Sequence, residues 1–280
     1  MNRRQFIQAG SALLTGGVVA AGCAGRSGTR FRWSTSSIHF KSLPFEQACE
    51  RIASLGFEAI DVWCAYEQCP HLDDVLQRLG PDGLKAVLAT HRLKLFAFST
   101  YVGGYPKYAK LLGAAGGGVA VQSSAGPCLP SELTARMRTF FEGLKPQAEL
   151  AAQQKSLLAI ENHGQSLLDG PDSFKAFVDL NPYPSVGVAL APYHLQSLKA
   201  SVPDVIRTAG RQLLFFYAWQ NAPGTGQLPG HGPVDFAPCL QALADVRYGG
   251  YVNPFMHGHV EPEVMTAALT KSLKYLKGIA

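Results

Sequence analysis

Seven of the eight histidines in this sequence fall in the stretches that follow short apolar runs, His231 on a long loop, and only His91 stands just before a run. The run LLAI ends in Glu161-Asn162-His163, and VGVALA leads through Pro192-Tyr193 to His194. LLFFYA ends in Trp219-Gln220, and GYV ends in Asn253, with His257 and His259 close behind. Burial against apolar surface disfavours the charged form of a carboxyl group, so Glu161 is expected to hold its proton to higher pH than a free glutamate. A base poised near neutrality beside a hydrogen-bonding imidazole suits abstraction of an acidic C–H next to a carbonyl, provided the developing oxyanion finds a donor. On this reading Glu161 is the base, His194 the acid or oxyanion partner, and His257 a further donor. His71, His163, Trp219 and His259 would contact the substrate. Plainer roles exist for each: Glu161 could cap a loop amide, His163 could be solvated, His257 or His259 could merely fix its loop, and Trp219 could fill the core.

Such groups, far apart in number, can act together only if the chain brings them to one place. The sequence alternates short apolar runs with stretches of helical period. Strands are expected at 31–36, 59–63, 93–100, 118–124, 156–162, 186–191, 213–220 and 250–255. Between and after them, helical patterns fall at 44–55, 72–79 with 83–90, 105–113, 130–154, 172–180, 195–209, 236–245 and 262–278. Pro130 and Ser131 open one helix and Pro171 and Asp172 another, as first-turn residues should. Eight strand–helix units without a linker predict an α/β fold, a single-domain (β/α)8 TIM barrel. The runner-up is an open doubly wound sheet, which is weakened because no GxGxxG follows the first strand. In a barrel, active sites gather at the C-terminal ends of the strands, where the residues above are found.

The chain begins MNRRQFIQAG, and an apolar Gly/Ala-rich stretch follows Arg3 and Arg4. This predicts a twin-arginine export signal over residues 1–22. Ala20-Ala21-Gly22-Cys23 resembles the box cut before a lipid-bearing cysteine, so Cys23 is the expected lipid attachment site. Residues 23–30 would be a short linker and 31–280 the barrel. The protein is therefore expected outside the inner membrane, periplasmic or held by a lipid anchor only. The formal charge of +5 falls to about +3 without the two signal arginines, and no basic stripe interleaved with aromatics is present, which argues against nucleic acid. Cys49, Cys64, Cys69, Cys128 and Cys239 are odd in number and lack zinc-site spacing; free thiols are expected, although one disulfide could form.

GFEAIDVW, LLAIENHG, VGVALAPYHL, GTGQLPGHGPVDF and RYGGYVNPF together span nearly all of 31–280. In them the chain resembles the xylose-isomerase-like TIM-barrel family, the sugar phosphate isomerase/epimerase group. The resemblance implies a divalent metal held by Glu, Asp, His and Glu at the ends of strands five to eight. These positions fall on Glu161, Ala191, a place on or near Gln220, and Asn253. Only Glu161 keeps a ligand, with His194 beside it as the substrate-side histidine. Two accounts follow. A rearranged site could use Glu161 with His194 or His257, and with His163 or His259, for one zinc or manganese ion. Alternatively the site is metal-free, and Asn253 and Gln220 bind substrate hydroxyls; this second account is preferred.

The expected activity is proton transfer beside a sugar carbonyl: isomerisation, epimerisation, or elimination or hydration of a keto-sugar or glycoside. A phosphorylated substrate is not expected, since no phosphate cradle is evident. The alternative is a non-catalytic sugar-binding lipoprotein that has lost the metal site. A metal nuclease of the endonuclease-IV type, which shares the barrel, lacks support in both ligands and charge.

Overall fold

A computed structural model describes residues 30–280; the expected signal over 1–22, Cys23 and the linker up to Thr29 lie outside the described residues. Eight parallel strands run in sequence order: β1 (Ser34–Ser36), β2 (Ala59–Trp63), β3 (Lys94–Ser99), β4 (Val119–Ser123), β5 (Leu157–Glu161), β6 (Val186–Leu190), β7 (Leu213–Ala218) and β8 (Val252–Pro254). A parallel bridge between Trp33 and Val252 brings the first and last strands together, so the sheet curls into a TIM barrel rather than an open sheet. The two strands at this seam are only three residues long each, shorter than their apolar runs suggest.

Around the sheet lie α1 (Phe45–Ser54), α2 (His71–Asp74), α3 (Gly80–Thr90), α4 (Gly104–Ala114), α5 (Leu133–Gln153), α6 (Pro171–Leu180), α7 (Pro192–Ser197), α8 (Val202–Ala209), α9 (Ala237–Asp245) and α10 (Pro262–Ile279). In α1, Phe45, Ala48, Cys49 and Ile52 are buried, the i, i+3, i+4, i+7 stripe that a helix lays against a sheet. The helical pattern expected over 195–209 is two helices. Lys199 adopts a left-handed φ of 56°, and Pro203, which lacks an N–H, fits in the first turn of α8 but not in a helix interior. Conversely, 71–90 is nearly continuous, with a wide turn at Val75–Leu79 joining α2 to α3. The five described cysteines are all free thiols. Among the described residues, no helix is long and apolar enough to cross a membrane.

Side chains alternate across the strands, and the two faces make two cores. Ile60, Val62, Phe98, Ala120, Leu158, Ile160, Val188 and Phe216 point outward to the helices. Ala59, Trp63, Ala97, Val119, Val121, Ala159, Ala189, Phe215 and Tyr217 fill the interior. Phe96 stacks on Phe215 with ring centroids 4.7 Å apart, and Trp63 stacks on Phe255 at 5.0 Å. Glu161 has the same parity as Ala159, so it too faces inward, at the strand's C-terminal end.

Candidate active site

Glu161 ends β5 and is 8% exposed. Burial raises its pKa from 4.5 to about 7, against the opposing effect of a hydrogen bond with the Tyr101 hydroxyl, and the charge of Asp61 pushes the same way as burial. The next residue, Asn162, does not enter the site. Its side chain accepts a hydrogen bond from the Ala191 N–H (2.7 Å) and donates to the Ala191 carbonyl (3.1 Å), tying the end of β5 to the end of β6.

That tie sets the start of α7 and places His194, which is 8% exposed. Its Nε2 is buried and has no hydrogen-bond partner. Burial, reinforced by His163 and His257, lowers its pKa to about 3, so the ring is neutral at physiological pH. His163 is exposed, bonds the Gly164 carbonyl through Nδ1, and lies against His194 with ring centroids 4.1 Å apart. Trp219 crosses His194 edge-on at 5.2 Å and stacks on Tyr193 at 4.3 Å.

His257 completes this wall. It lies 5.0 Å from Trp219, 5.9 Å from Trp63 and 5.7 Å from Tyr66 between ring centroids. Its Nδ1 is 2.8 Å from a Glu67 carboxylate oxygen. Burial lowers its pKa, against the pull of Glu67. The neutral ring therefore donates from Nδ1 and presents Nε2 as an acceptor. Glu67 and Gln68 both adopt left-handed φ, at 49° and 64°. Non-glycine residues seldom do so, and such strain commonly marks functional loops. Rings and carboxyl group thus form one contiguous mouth, running from Glu161 through Tyr101, Trp63, His257 and Trp219 to His194 and His163.

Four expected site residues lie apart from it. His71 is fully buried between the Leu43 carbonyl, 2.9 Å from Nε2, and the Cys69 thiol, 3.5 Å from Nδ1, against Phe45 of α1. Both ring nitrogens are engaged, so it serves packing rather than substrate binding. Gln220 donates to the Leu228 carbonyl (2.8 Å) and accepts from the Val234 N–H (2.9 Å), which commits its amide to the loop after β7. Asn253 is fully buried, accepting from Ser34 (2.8 Å) and donating to Ser36 (3.0 Å), so both ends of its amide have protein partners. His259 is exposed and takes part in none of these ring contacts.

Residues that sequence reasoning missed complete the site. Gln227 accepts from the Trp219 indole N–H (2.8 Å) and the His257 N–H (3.1 Å), joining the loops after β7 and β8. Asp61 and Tyr217 lie deeper in the barrel. Strand parity could have found both, since Asp61 alternates with the inward Ala59 and Trp63, and Tyr217 with Phe215 and Trp219. Glu67 had no signal except its place after a strand.

The donor set does not fit the divalent metal that the resemblance implies. Ala191 has no donor atom, the amides of Gln220 and Asn253 are spent on protein partners, and Glu161 remains the only carboxyl among the four positions. No group of three or more His, Cys, Asp or Glu side chains among the described residues is arranged to hold an ion. A hard or borderline dication needs several such ligands.

The structure thus defines an eight-stranded barrel whose C-terminal mouth carries a buried carboxyl group, neutral imidazoles and aromatic walls. The chain belongs to the xylose isomerase-like TIM barrel family, whose model matches residues 107–277. No curated protein matches the sequence significantly. Among solved structures it is similar to a 3-keto-D-glucoside 4-epimerase from E. coli, with TM-score 0.70 and 15% identity, covering 89% of this chain and 100% of that one. It is also similar to a D-psicose 3-epimerase studied in the presence of D-fructose, with TM-score 0.68 and 17% identity over 89% and 99%. A third is a probable 3-DHS dehydratase from Bacillus anthracis, with TM-score 0.68 and 14% identity over 85% and 97%. At these identities the likeness is one of fold.

Proposed function

We propose that this chain is a carbohydrate-active enzyme that moves a proton next to a sugar carbonyl without a divalent metal. The observation that carries this reading is Glu161: a buried carboxyl group held near neutral pKa at the strand ends, facing a mouth walled by Trp63, Tyr66, Tyr101 and Trp219. Aromatic faces suit the C–H faces of a sugar ring, and a base with a pKa near the working pH suits C–H abstraction. His194 supplies the unpartnered Nε2 for the substrate oxygen, and His257, oriented by Glu67, supplies a second polar contact. As a neutral imidazole, His194 in its Nε2–H tautomer donates to the enediolate oxygen without adding a charge to the pocket. The epimerases and the dehydratase of like fold act on carbonyl-bearing or polyhydroxylated small molecules, which supports this substrate class.

Incubating the protein with a panel of keto-sugars and 3-keto-glycosides in deuterated water tests the reading. Deuterium should enter the carbon beside the carbonyl, and chelator treatment should leave the rate unchanged. Loss of activity on chelation, restored by zinc or manganese, would favour the rearranged metal site.

A second reading, a sugar-binding barrel without catalysis, draws on Ala191, Gln220 and Asn253, where ligands of the resemblance are replaced. It would show saturable sugar binding with no isotope exchange across the same panel.

The N-terminal pattern supports export and lipid attachment at Cys23. Replacing Cys23 by Ser should move the protein from the membrane fraction to the soluble fraction; an unchanged distribution removes the anchor.

A further inference from the structure

Basic residues are scattered along the sequence, but the barrel gathers several of them at the end away from the mouth, in the turns that lead into the strands. Arg30 and Arg32 precede β1, Arg92 precedes β3, Lys155 precedes β5, Arg211 precedes β7 and Arg247 precedes β8. All six are exposed. Glu58, half-buried before β2, is the one acid among the described residues of these turns. None of the six takes part in an ion pair among the described residues. The acids at the neighbouring ends of α6 and α9, Asp179 and Asp245, are paired with Lys175 and Arg207. The loops at the mouth carry the opposite sign: Glu67, Glu132, Asp169, Asp235 and Glu261 stand there against Lys41 and Lys199.

The backbone gives this face a second mark. Arg92, Lys155 and Arg247 each follow a helix with left-handed φ, at 55°, 51° and 55°. At the matching places after α1, α4 and α8 the chain has Gly56, Gly116 and Gly210, also at positive φ. Glycine takes that conformation without strain, and a residue with a Cβ does not. A cation there meets the carbonyl end of the helix dipole, which offsets part of the strain. That effect does not reach Arg30 and Arg32, which precede the first helix.

Arg30 and Arg32 also mark where the chain enters the barrel. The Val252 N–H donates to the Arg32 carbonyl (2.9 Å) and the Glu58 N–H to the Trp33 carbonyl (2.8 Å), which fixes the entry to β1 at this same end. Cys23 lies seven residues before Arg30. Fully extended, that length of chain reaches about 25 Å.

We propose that the face formed by the turns entering the strands docks on anionic phospholipid headgroups and leaves the mouth turned to water. Unpaired cations on one face are drawn to an anionic surface within a Debye length of about 10 Å, and the acidic loops at the far end are repelled by it. A lipid on Cys23 holds this end of the barrel, and not the mouth, beside the bilayer. Glu161 and His194 then open away from the membrane, on the side from which a soluble sugar arrives. The attraction belongs to the face itself; the orientation in the cell also rests on lipid attachment at Cys23, and neither rests on sugar chemistry.

Cosedimentation of the full-length Cys23→Ser protein, which carries no acyl chain, with vesicles of phosphatidylglycerol and phosphatidylcholine tests the face. Partition should far exceed that on phosphatidylcholine alone and fall steeply with salt. Arg92→Asn, Lys155→Asn and Arg247→Asn together remove three charges at about fivefold each, so partition should drop about 100-fold. Asn accepts left-handed φ more readily than Arg or Lys, so the thermal midpoint should hold or rise and unfolding does not account for the loss. Lys199→Asn, at φ 56° between α7 and α8, is the control at the mouth end and should leave partition nearly unchanged. Hydrogen exchange on the vesicles should slow in the turns before β3, β5 and β8 and not in the loops of the mouth. Partition indifferent to the triple substitution, slowing confined to the mouth, or retention by duplex DNA in place of the vesicles overturns the proposal. If the three cations govern partition while the unsubstituted chain and Cys23→Ser distribute alike in cell membranes, the face stands and lipid attachment alone falls.

Discussion

Glu161→Gln is expected to lower isotope exchange at the sugar carbon by about 10²–10⁴-fold, the usual contribution of a positioned general base. The amide of this variant keeps the shape of the carboxyl group and can still hydrogen-bond Tyr101, so substrate binding should survive the loss of rate. In the unsubstituted protein the base acts only when ionised. The rate of the free enzyme should therefore rise with pH and level off above about 7, where Glu161 titrates. A rate that is already flat from pH 5 would remove Glu161 from that role.

The same substitution should raise stability. The folded protein holds the Glu161 proton up to about pH 7, whereas the unfolded chain releases it near 4.5. Between those values the native state binds more protons, so its stability falls as pH rises through the window. Above it the deficit is on the order of 3 kcal/mol for a shift of this size. Denaturant midpoints of the unsubstituted protein should decline from pH 4.5 to 7, and those of Glu161→Gln should decline less. A site that lowers stability while serving chemistry is a common trade.

Gly187→Ala is expected to destabilise the barrel by about 3 kcal/mol, at the severe end for overpacking. Gly187 lies in β6 where a Cβ would stand 2.3 Å from the Gln212 carbonyl oxygen and 2.6 Å from Leu214 Cγ. The first obstacle is backbone and cannot rotate away. Relief requires β6 to move from the start of β7, beside the register shift between Val188 and Ala189. That movement would carry Ala191 and His194 with it. Thermal unfolding should show the loss of stability, and sugar affinity should weaken as His194 shifts. A variant as stable as its parent would show that this approach is looser than the geometry indicates.

The sequence alone determined the order of eight strands and helices and the end of the barrel at which Glu161 and His194 lie. Those features are local: apolar period, first-turn prolines, and the rule that parallel strands leave their C-terminal loops on one face. That residue 191 carries no donor atom was also legible in the sequence, because a methyl group cannot be a ligand in any fold. It could not show that His71, Gln220 and Asn253 are occupied by protein partners. Leu228 and Val234 meet Gln220 through the folding of the loop after β7 and Leu43 meets His71 beside β2, whereas Ser34 and Ser36, 219 and 217 positions from Asn253, meet it only when the barrel closes. Strand parity turns Asp61 inward, but its partners were hidden for the same reason as those of Asn253. In the run AIDVW it resembles any polar residue in a strand, and only the meeting of β1, β2, β3 and β7 around it joins it to Ser36, Ser99 and Tyr217. Side-chain type is written in the chain, but which hydrogen-bonding capacity remains unspent is decided by tertiary contacts, since desolvation leaves a buried polar atom dependent on whatever neighbour the fold supplies.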